Sequence, residues 1–166
     1  IRARLAKKLR AGGFRSFPQY MEHILKNESG HEFSDFIDVL STNLTSFFRE
    51  RQHFDFLENC FLPPLLARKK EQNRPRIRVW SAGCSSGEEP YSLAITLLEN
   101  LPPGGWDTKI LATDISTRIL KKARAGTYPP KRLQPVPLPL KARYFSQKNE
   151  NGQKRFEVKP MLKNMV

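Results

Sequence analysis

Ile77-Arg78-Val79-Trp80-Ser81-Ala82-Gly83-Cys84-Ser85-Ser86-Gly87-Glu88-Glu89-Pro90-Tyr91-Ser92-Leu93 carries the clearest structural signal in the chain. It opens in a short β-type run, Arg76 to Trp80, passes through a turn of small residues, and continues into helix formers from Glu88 to about Asn100. A break follows at Pro102-Pro103-Gly104-Gly105. Lys109-Ile110-Leu111-Ala112-Thr113 then predicts a second strand ending at Asp114, and Ser116 opens a further helix to about Ala125. Strand, turn, helix, loop and strand in this order predict a βαβ unit, the start of an open α/β sheet. Beyond a proline-rich stretch, Pro129 to Pro139, the runs Tyr144–Gln147 and Arg155–Val158 flank Asn149-Glu150-Asn151-Gly152. That arrangement predicts a hairpin whose loop is somewhat longer than the minimal one.

The turn carries chemistry. Gly83 follows a strand and Gly87 stands where the helix begins, positions where glycine lets the backbone pass close under a ligand and enter the helix tightly. Asp114, at the end of the next strand, is placed to accept hydrogen bonds from the two hydroxyls of a ribose. A dinucleotide site would offer bare N–H groups to a pyrophosphate. Here Glu88 and Glu89 occupy the helix N-terminus instead. They favour the helix dipole by roughly 0.3–1 kcal/mol and repel a pyrophosphate. A cationic ligand that carries a ribose fits better, and S-adenosylmethionine has both a sulfonium and an ammonium group. The competing reading makes Glu88 and Glu89 N-terminal helix acids and nothing more.

Upstream, the chain reads as helices. Ile1, Leu5 and Leu9 form an apolar stripe that stops at Gly12-Gly13; Ser16 caps a second helix with Pro18 in its first turn; Gly30 ends that segment and Ser34 is expected to cap a third. Residues 53–73 read as helical with a break near Pro63-Pro64. Residues 1–67 are therefore expected to form a small all-helical domain, 68–75 a polar linker, and 76–166 the start of the α/β domain. With 39% apolar residues the chain of 166 can build a modest core, so wholesale disorder is excluded. No apolar run approaches the ~18 residues of a membrane span. Cys60 and Cys84 are too few for a disulfide scaffold, and with three scattered histidines they offer no zinc spacing, so the expected setting is a reducing cytoplasm and no metal.

Charge is uneven. Residues 1–115 carry 16 basic against 14 acidic side chains, whereas 116–166 carry 13 basic against only Glu150 and Glu157. Arg2, Arg4, Lys7, Lys8 and Arg10 make a second basic run at the start. The net charge of +13 points to an acidic partner without saying which kind.

Three blocks together resemble a known family. The Val79–Leu93 motif, Ser41-Thr42-Asn43-Leu44-Thr45-Ser46-Phe47-Phe48-Arg49-Glu50, and Ile110-Leu111-Ala112-Thr113-Asp114-Ile115 are similar to the bacterial chemotaxis receptor methyltransferases, the CheR family. The resemblance covers nearly all of the chain. It implies transfer of a methyl group from S-adenosylmethionine to glutamate side chains of methyl-accepting chemotaxis receptors, leaving S-adenosylhomocysteine and glutamate methyl esters. It also implies a helical N-terminal domain joined to a Rossmann-like class I methyltransferase domain, incomplete here, with an inserted antiparallel β-subdomain near residues 140–160. Carried over by motif, Asn43, Thr45 and Arg49 contact the cofactor from one side, and Gly83, Glu88 and Asp114 from the other.

Each has a plainer alternative. Asn43 and Thr45 can simply cap a helix beginning near Ser46. Arg49 is either a surface ion-pair residue or a clamp for the methionine carboxylate with a positioning role. Phe47 and Phe48 are expected in the core. Cys84 reads as a small buried residue and not a nucleophile. No catalytic base is identified, and the reaction asks for none. The run from Arg2 to Arg10 is expected to steer acidic receptor helices, and an exposed hairpin edge offers a place for a receptor C-terminal tail. Neither nucleic acid nor membrane insertion is expected. Two other classes compete on charge alone, a basic polyanion- or RNA-binding module and a nucleic-acid methyltransferase. A doubly wound sheet has about six strands, and only two plus a hairpin are legible, so the chain is expected to be a fragment with an open sheet edge.

Overall fold

The computed structural model describes residues 2–26, 30–71, 75–103, 105–150 and 152–166. Ile1, the linker residues 72–74, Gly104 and Asn151, all used in the sequence reading, lie outside them. The chain divides into two compact units, Ile1–Asn43 with Ile115–Arg118, and Leu44–Asp114 with Ile119–Val166.

The first unit holds α1 (Arg2–Ala11), α2 (Phe17–Lys26) and α3 (His31–Leu40). Ser16 caps α2 as expected, its hydroxyl accepting the Gln19 N–H at 3.4 Å. Tyr20 and Ile24 on α2 are buried, and the Phe14 and Phe36 rings pack against Tyr20. The start of α3 differs from the reading. It opens directly behind Gly30, whose φ of 69° makes the turn that only glycine adopts cheaply, and Ser34 lies inside the helix.

In the second unit, α4 (Arg51–Phe56) runs through a widened π turn (Leu57–Phe61) into α5 (Leu62–Glu71). Pro63 and Pro64 have no N–H to give the carbonyls of Asn59 and Cys60. The helix does not break there but passes through the wider turn, with the Leu62 N–H bonding the Leu57 carbonyl. The linker expected from residue 68 is thus helical as far as Glu71. These helices, read from the sequence as part of the N-terminal domain, cluster with the second unit.

The βαβ unit is present. β1 (Arg76–Ala82) and β2 (Asp107–Thr113) pair in parallel with Val79 opposite Ile110, and α6 (Glu88–Asn100) connects them. The apolar face of α6, with Tyr91, Ala94, Ile95 and Leu97, is buried in a core that also takes Ile77 and Ile110 from the strands. Trp80 and Leu111, paired on the other face, are exposed. After α7 (Thr117–Ala125) come β3 (Thr127–Tyr128), a 3₁₀ turn (Pro130–Leu133), α8 (Leu138–Tyr144), β4 (Phe145–Glu150), β5 (Gln153–Val158) and α9 (Pro160–Lys163). The last three strands form an antiparallel sheet in the order β3-β5-β4. Glu150 pairs with Gln153, so the hairpin loop has two residues and is tighter than expected, with Gly152 at φ 73°. The architecture is a mixed α/β fold, an incomplete Rossmann-like unit with an antiparallel β-subdomain.

Candidate functional site

The turn between β1 and α6 is stitched to the end of β2. The N–H groups of Gly83 and Cys84 both donate to the Thr113 carbonyl at 2.8 Å, and the Ser85 N–H donates to Asp114 Oδ2 at 2.9 Å. The two glycines serve different ends. Gly83, at φ 85°, has open space where a Cβ would stand, whereas at Gly87, φ 95°, a Cβ would lie 2.9 Å from Tyr128 Oη and 3.0 Å from Ala123 Cα. Gly83 leaves the turn open; Gly87 lets α6 pack. Cys84 is fully buried, and burial, aided by the Asp114 charge, pushes its thiol up to about 11. It stays a thiol at neutral pH, as expected of a small packing residue.

Glu88 opens α6 and is completely buried. Its Oε2 accepts the Ser86 hydroxyl at 2.6 Å, while Oε1 has no hydrogen-bond donor and stands 3.5 Å from Arg132 Nη1. Glu89 accepts from Ser81 Oγ at 2.6 Å. Tyr128 donates its hydroxyl to the Ser86 carbonyl at 2.7 Å, and burial pushes that phenol far above its ordinary value, so it remains a donor. Ser92 Oγ donates to the Glu88 carbonyl at 2.6 Å and accepts the Phe48 N–H at 3.0 Å. The start of α6 is therefore tied to the segment before α4.

That segment is irregular over residues 41–46 and turns at Phe47-Phe48; no helix begins near Ser46, which removes the capping alternative for Asn43 and Thr45. Phe47 and Phe48 are core residues, as read. Thr45 is buried, and its carbonyl accepts from Arg132 Nη1 at 2.8 Å. Arg49 folds back on its own turn, donating to the Leu44 carbonyl at 2.7 Å, with Glu50 3.9 Å away. Among the described residues, the non-glycine positions with left-handed φ are Phe48, Glu50 and Ser85. All three belong to these two turns, and such strain collects at ligand sites.

The structure thus brings together Gly83, Glu88 and Asp114 around one turn, with Thr45 joined through Arg132 and Arg49 on the adjoining segment. Asn43 belongs to the other unit, where it lines a cavity of about 460 Å3 with Arg4, Lys7, Lys8, Asp38 and Arg118. Within the basic run of α1, Arg4 is engaged with the Ser41 carbonyl at 2.6 Å and Lys8 with Asp35 at 2.8 Å. Arg2, Lys7 and Arg10 are exposed. Sequence reasoning missed Arg132, Ser92 and the hydroxyl of Tyr128. Arg132 lies far along the chain in a basic run that carries no local sign of its partners.

Chemically, a glycine-opened turn fronted by a buried carboxylate, with a second carboxylate at the strand end, repels phosphate and suits a ligand with hydroxyls and a positive charge. S-adenosylmethionine meets both demands. A family model described as the CheR methyltransferase, SAM binding domain, matches residues 43–166. The chain belongs to the CheR methyltransferase family. S-adenosylmethionine is the cofactor of this domain. The chain is similar to the chemotaxis protein methyltransferase of Borreliella burgdorferi, at 43% identity over 168 residues, covering 100% of this chain and 58% of that relative. It is also similar to chemotaxis protein methyltransferase 2 of Pseudomonas aeruginosa, at 46% over 145 residues, 87% of this chain and 49% of the relative. The chemotaxis protein methyltransferase of Escherichia coli is 39% identical over 165 residues, 98% of this chain and 54% of that protein. The chain spans about half the length of the curated relatives it matches. Among the described residues no helix is long and apolar enough to cross a membrane, and no His, Cys, Asp and Glu cluster could hold a metal ion.

Proposed function

We propose that the intact protein transfers a methyl group from S-adenosylmethionine to glutamate carboxylates of chemotaxis receptors, in the cytoplasm, giving glutamate methyl esters and S-adenosylhomocysteine. The observation that carries this reading is the buried Glu88 carboxylate, bonded to Ser86 in the turn after Gly83, inside a chain of this family. Asp114 holds the ribose hydroxyls, Glu88 faces the cationic amino-acid end, and Gly83 leaves room for the ligand. By the motif shared with the family, Asn43, Thr45 and Arg49 contact the cofactor, the Arg49 guanidinium on the methionine carboxylate.

Bound S-adenosylmethionine supplies a methyl group on a positively charged sulfur. The protein has no proton to remove from the acceptor. A glutamate side chain, with an ordinary value near ~4.3, is already ionised at neutral pH. What the chain contributes is alignment of two charged reactants and exclusion of water. The basic residues Arg2, Arg4, Lys7, Lys8 and Arg10 steer acidic receptor helices, a long-range role that the local bonds of Arg4 and Lys8 leave intact. Strand β4, at the edge of the antiparallel sheet, takes up an extended receptor C-terminal tail as an added strand. The test is transfer of labelled methyl from S-adenosylmethionine to receptor cytoplasmic fragments by the intact protein. Label is expected on fragments with their glutamates and absent when those are replaced by Ala; label unaffected by that replacement overturns the glutamate reading.

A further inference from the structure

The 3₁₀ turn Pro130–Leu133 holds its place through Leu133, which is fully buried, and through the Arg132 N–H, which donates to the Pro129 carbonyl at 3.0 Å. The fixed φ of Pro129 and Pro130 restricts the approach to the turn. Arg132 is thereby carried to the gap between two elements of the site. One guanidinium nitrogen, Nη1, donates to the Thr45 carbonyl at 2.8 Å and stands 3.5 Å from Glu88 Oε1. That oxygen is buried and receives no hydrogen bond. An unpaired carboxylate in such a place is costly, so the cation beside it decides whether it stays turned inward.

We propose that Arg132 is a positioning residue for the cofactor site. It ties the Thr45 segment to the start of α6 and holds the Glu88 carboxylate in place towards the cationic end of the cofactor. The proposal rests on the reading of Glu88 given above. Without the guanidinium, the Glu88 carboxylate loses the cation beside it and turns from its place, and the Thr45 carbonyl loses its donor. Both changes fall on the amino-acid end of the ligand. The ribose end depends on Asp114, which is held from the other side of the turn by the Ser85 N–H.

The effect is therefore selective between two ligands. S-adenosylhomocysteine carries the amino-acid group, and 5′-deoxy-5′-methylthioadenosine lacks it. Calorimetry on the intact protein compares both ligands for wild type, Arg132→Gln and Arg132→Lys, with thermal melts to verify folding. Arg132→Gln is expected to weaken S-adenosylhomocysteine by about tenfold, as loss of a contact to a charged group does, and to leave methylthioadenosine within about twofold. Arg132→Lys keeps a charge near Glu88 and is expected to recover part of the loss. Equal weakening of both ligands, or an unchanged S-adenosylhomocysteine affinity, overturns the proposal while leaving the Glu88 reading standing. If the Gln variant does not fold, the Lys variant decides. A loss confined to S-adenosylhomocysteine supports the proposal, and a loss on both ligands or on neither overturns it. Wild-type protein that binds methylthioadenosine as tightly as S-adenosylhomocysteine overturns the Glu88 reading and this proposal together.

Discussion

Replacing Gly87 by Ala puts a methyl group where the structure has no room. The added carbon would stand 2.9 Å from Tyr128 Oη and 3.0 and 3.1 Å from Ala123 Cα and Cβ. Tyr128 cannot easily retreat, because its ring packs edge-on against Phe47 at 5.0 Å and against Tyr91 at 6.5 Å. Three costs combine. A side chain at a left-handed φ costs roughly 1–2 kcal/mol, overpacking about 1–3 kcal/mol, and a weakened Tyr128–Ser86 hydrogen bond about 0.5–1.5 kcal/mol. They overlap, since a shift that relieves the clash also loosens the bond, so the expected destabilisation is roughly 3–5 kcal/mol. Gly83→Ala is the control. Its φ is similar, at 85°, but nothing stands within 4 Å of the added carbon, so only the backbone cost of roughly 1–2 kcal/mol applies. Equilibrium urea unfolding of the intact protein, followed by tryptophan fluorescence from Trp80 and Trp106, measures both. A Gly87→Ala protein within about 1 kcal/mol of wild type, or no less stable than Gly83→Ala, refutes the assignment of Gly87 to packing and Gly83 to an open turn.

Tyr128→Phe removes the donor from the Ser86 carbonyl and is expected to cost about 1–3 kcal/mol in the same unfolding assay. Combined with Gly87→Ala it should cost less than the two changes separately, because the clashing hydroxyl is gone; strict additivity would contradict the geometry. Asp114→Ala is expected to weaken S-adenosylhomocysteine by about 1.5–3 kcal/mol in calorimetry, and equal affinities would remove Asp114 from the site. Glu157 is bonded by Lys148 and Lys163, which hold its carboxyl below the ordinary 4.5. Its contribution to stability is therefore present above pH 4.5 and lost as pH falls through the lower folded value. In acid unfolding, Glu157→Gln should be the less stable protein above that window and converge with wild type below it; a constant gap at all pH values would show that the carboxylate charge is not involved.

How far the molecule was legible in the sequence follows from how local each signal is. The βαβ unit, the opened turn and Asp114 stand out because strand, turn and helix chemistry are written within a few residues of one another. Phe47 and Phe48 announced themselves as core by size and apolarity. α8 was not read, because Pro137 and Pro139 look like loop residues although proline is well tolerated at the start of a helix. The end of α5 looked like a linker because Arg68-Lys69-Lys70-Glu71 is polar throughout, yet a helix needs only one apolar face and that face lies earlier, at Leu62, Leu65 and Leu66. Asn43 and Thr45 are good cap residues without a helix to cap, since Phe47 and Phe48 are drawn into the core and the backbone turns at Phe48 and Glu50 instead. Arg132 had no local signal at all. Its meaning comes from Thr45 and Glu88, both brought to it by tertiary packing.

If the acceptor is a receptor carboxylate, as proposed, the chemistry of the product bond reveals it. A glutamate methyl ester is cleaved by mild alkali with release of methanol, whereas a methyl group on a lysine or nucleobase nitrogen withstands that treatment. Receptor cytoplasmic fragments labelled by the intact protein and S-adenosylmethionine are brought to mild alkali, and the volatile label is counted. Release of the label as methanol is the result predicted. Label that stays on the receptor through alkali, or that is found on RNA in a mixture offering both, would contradict it.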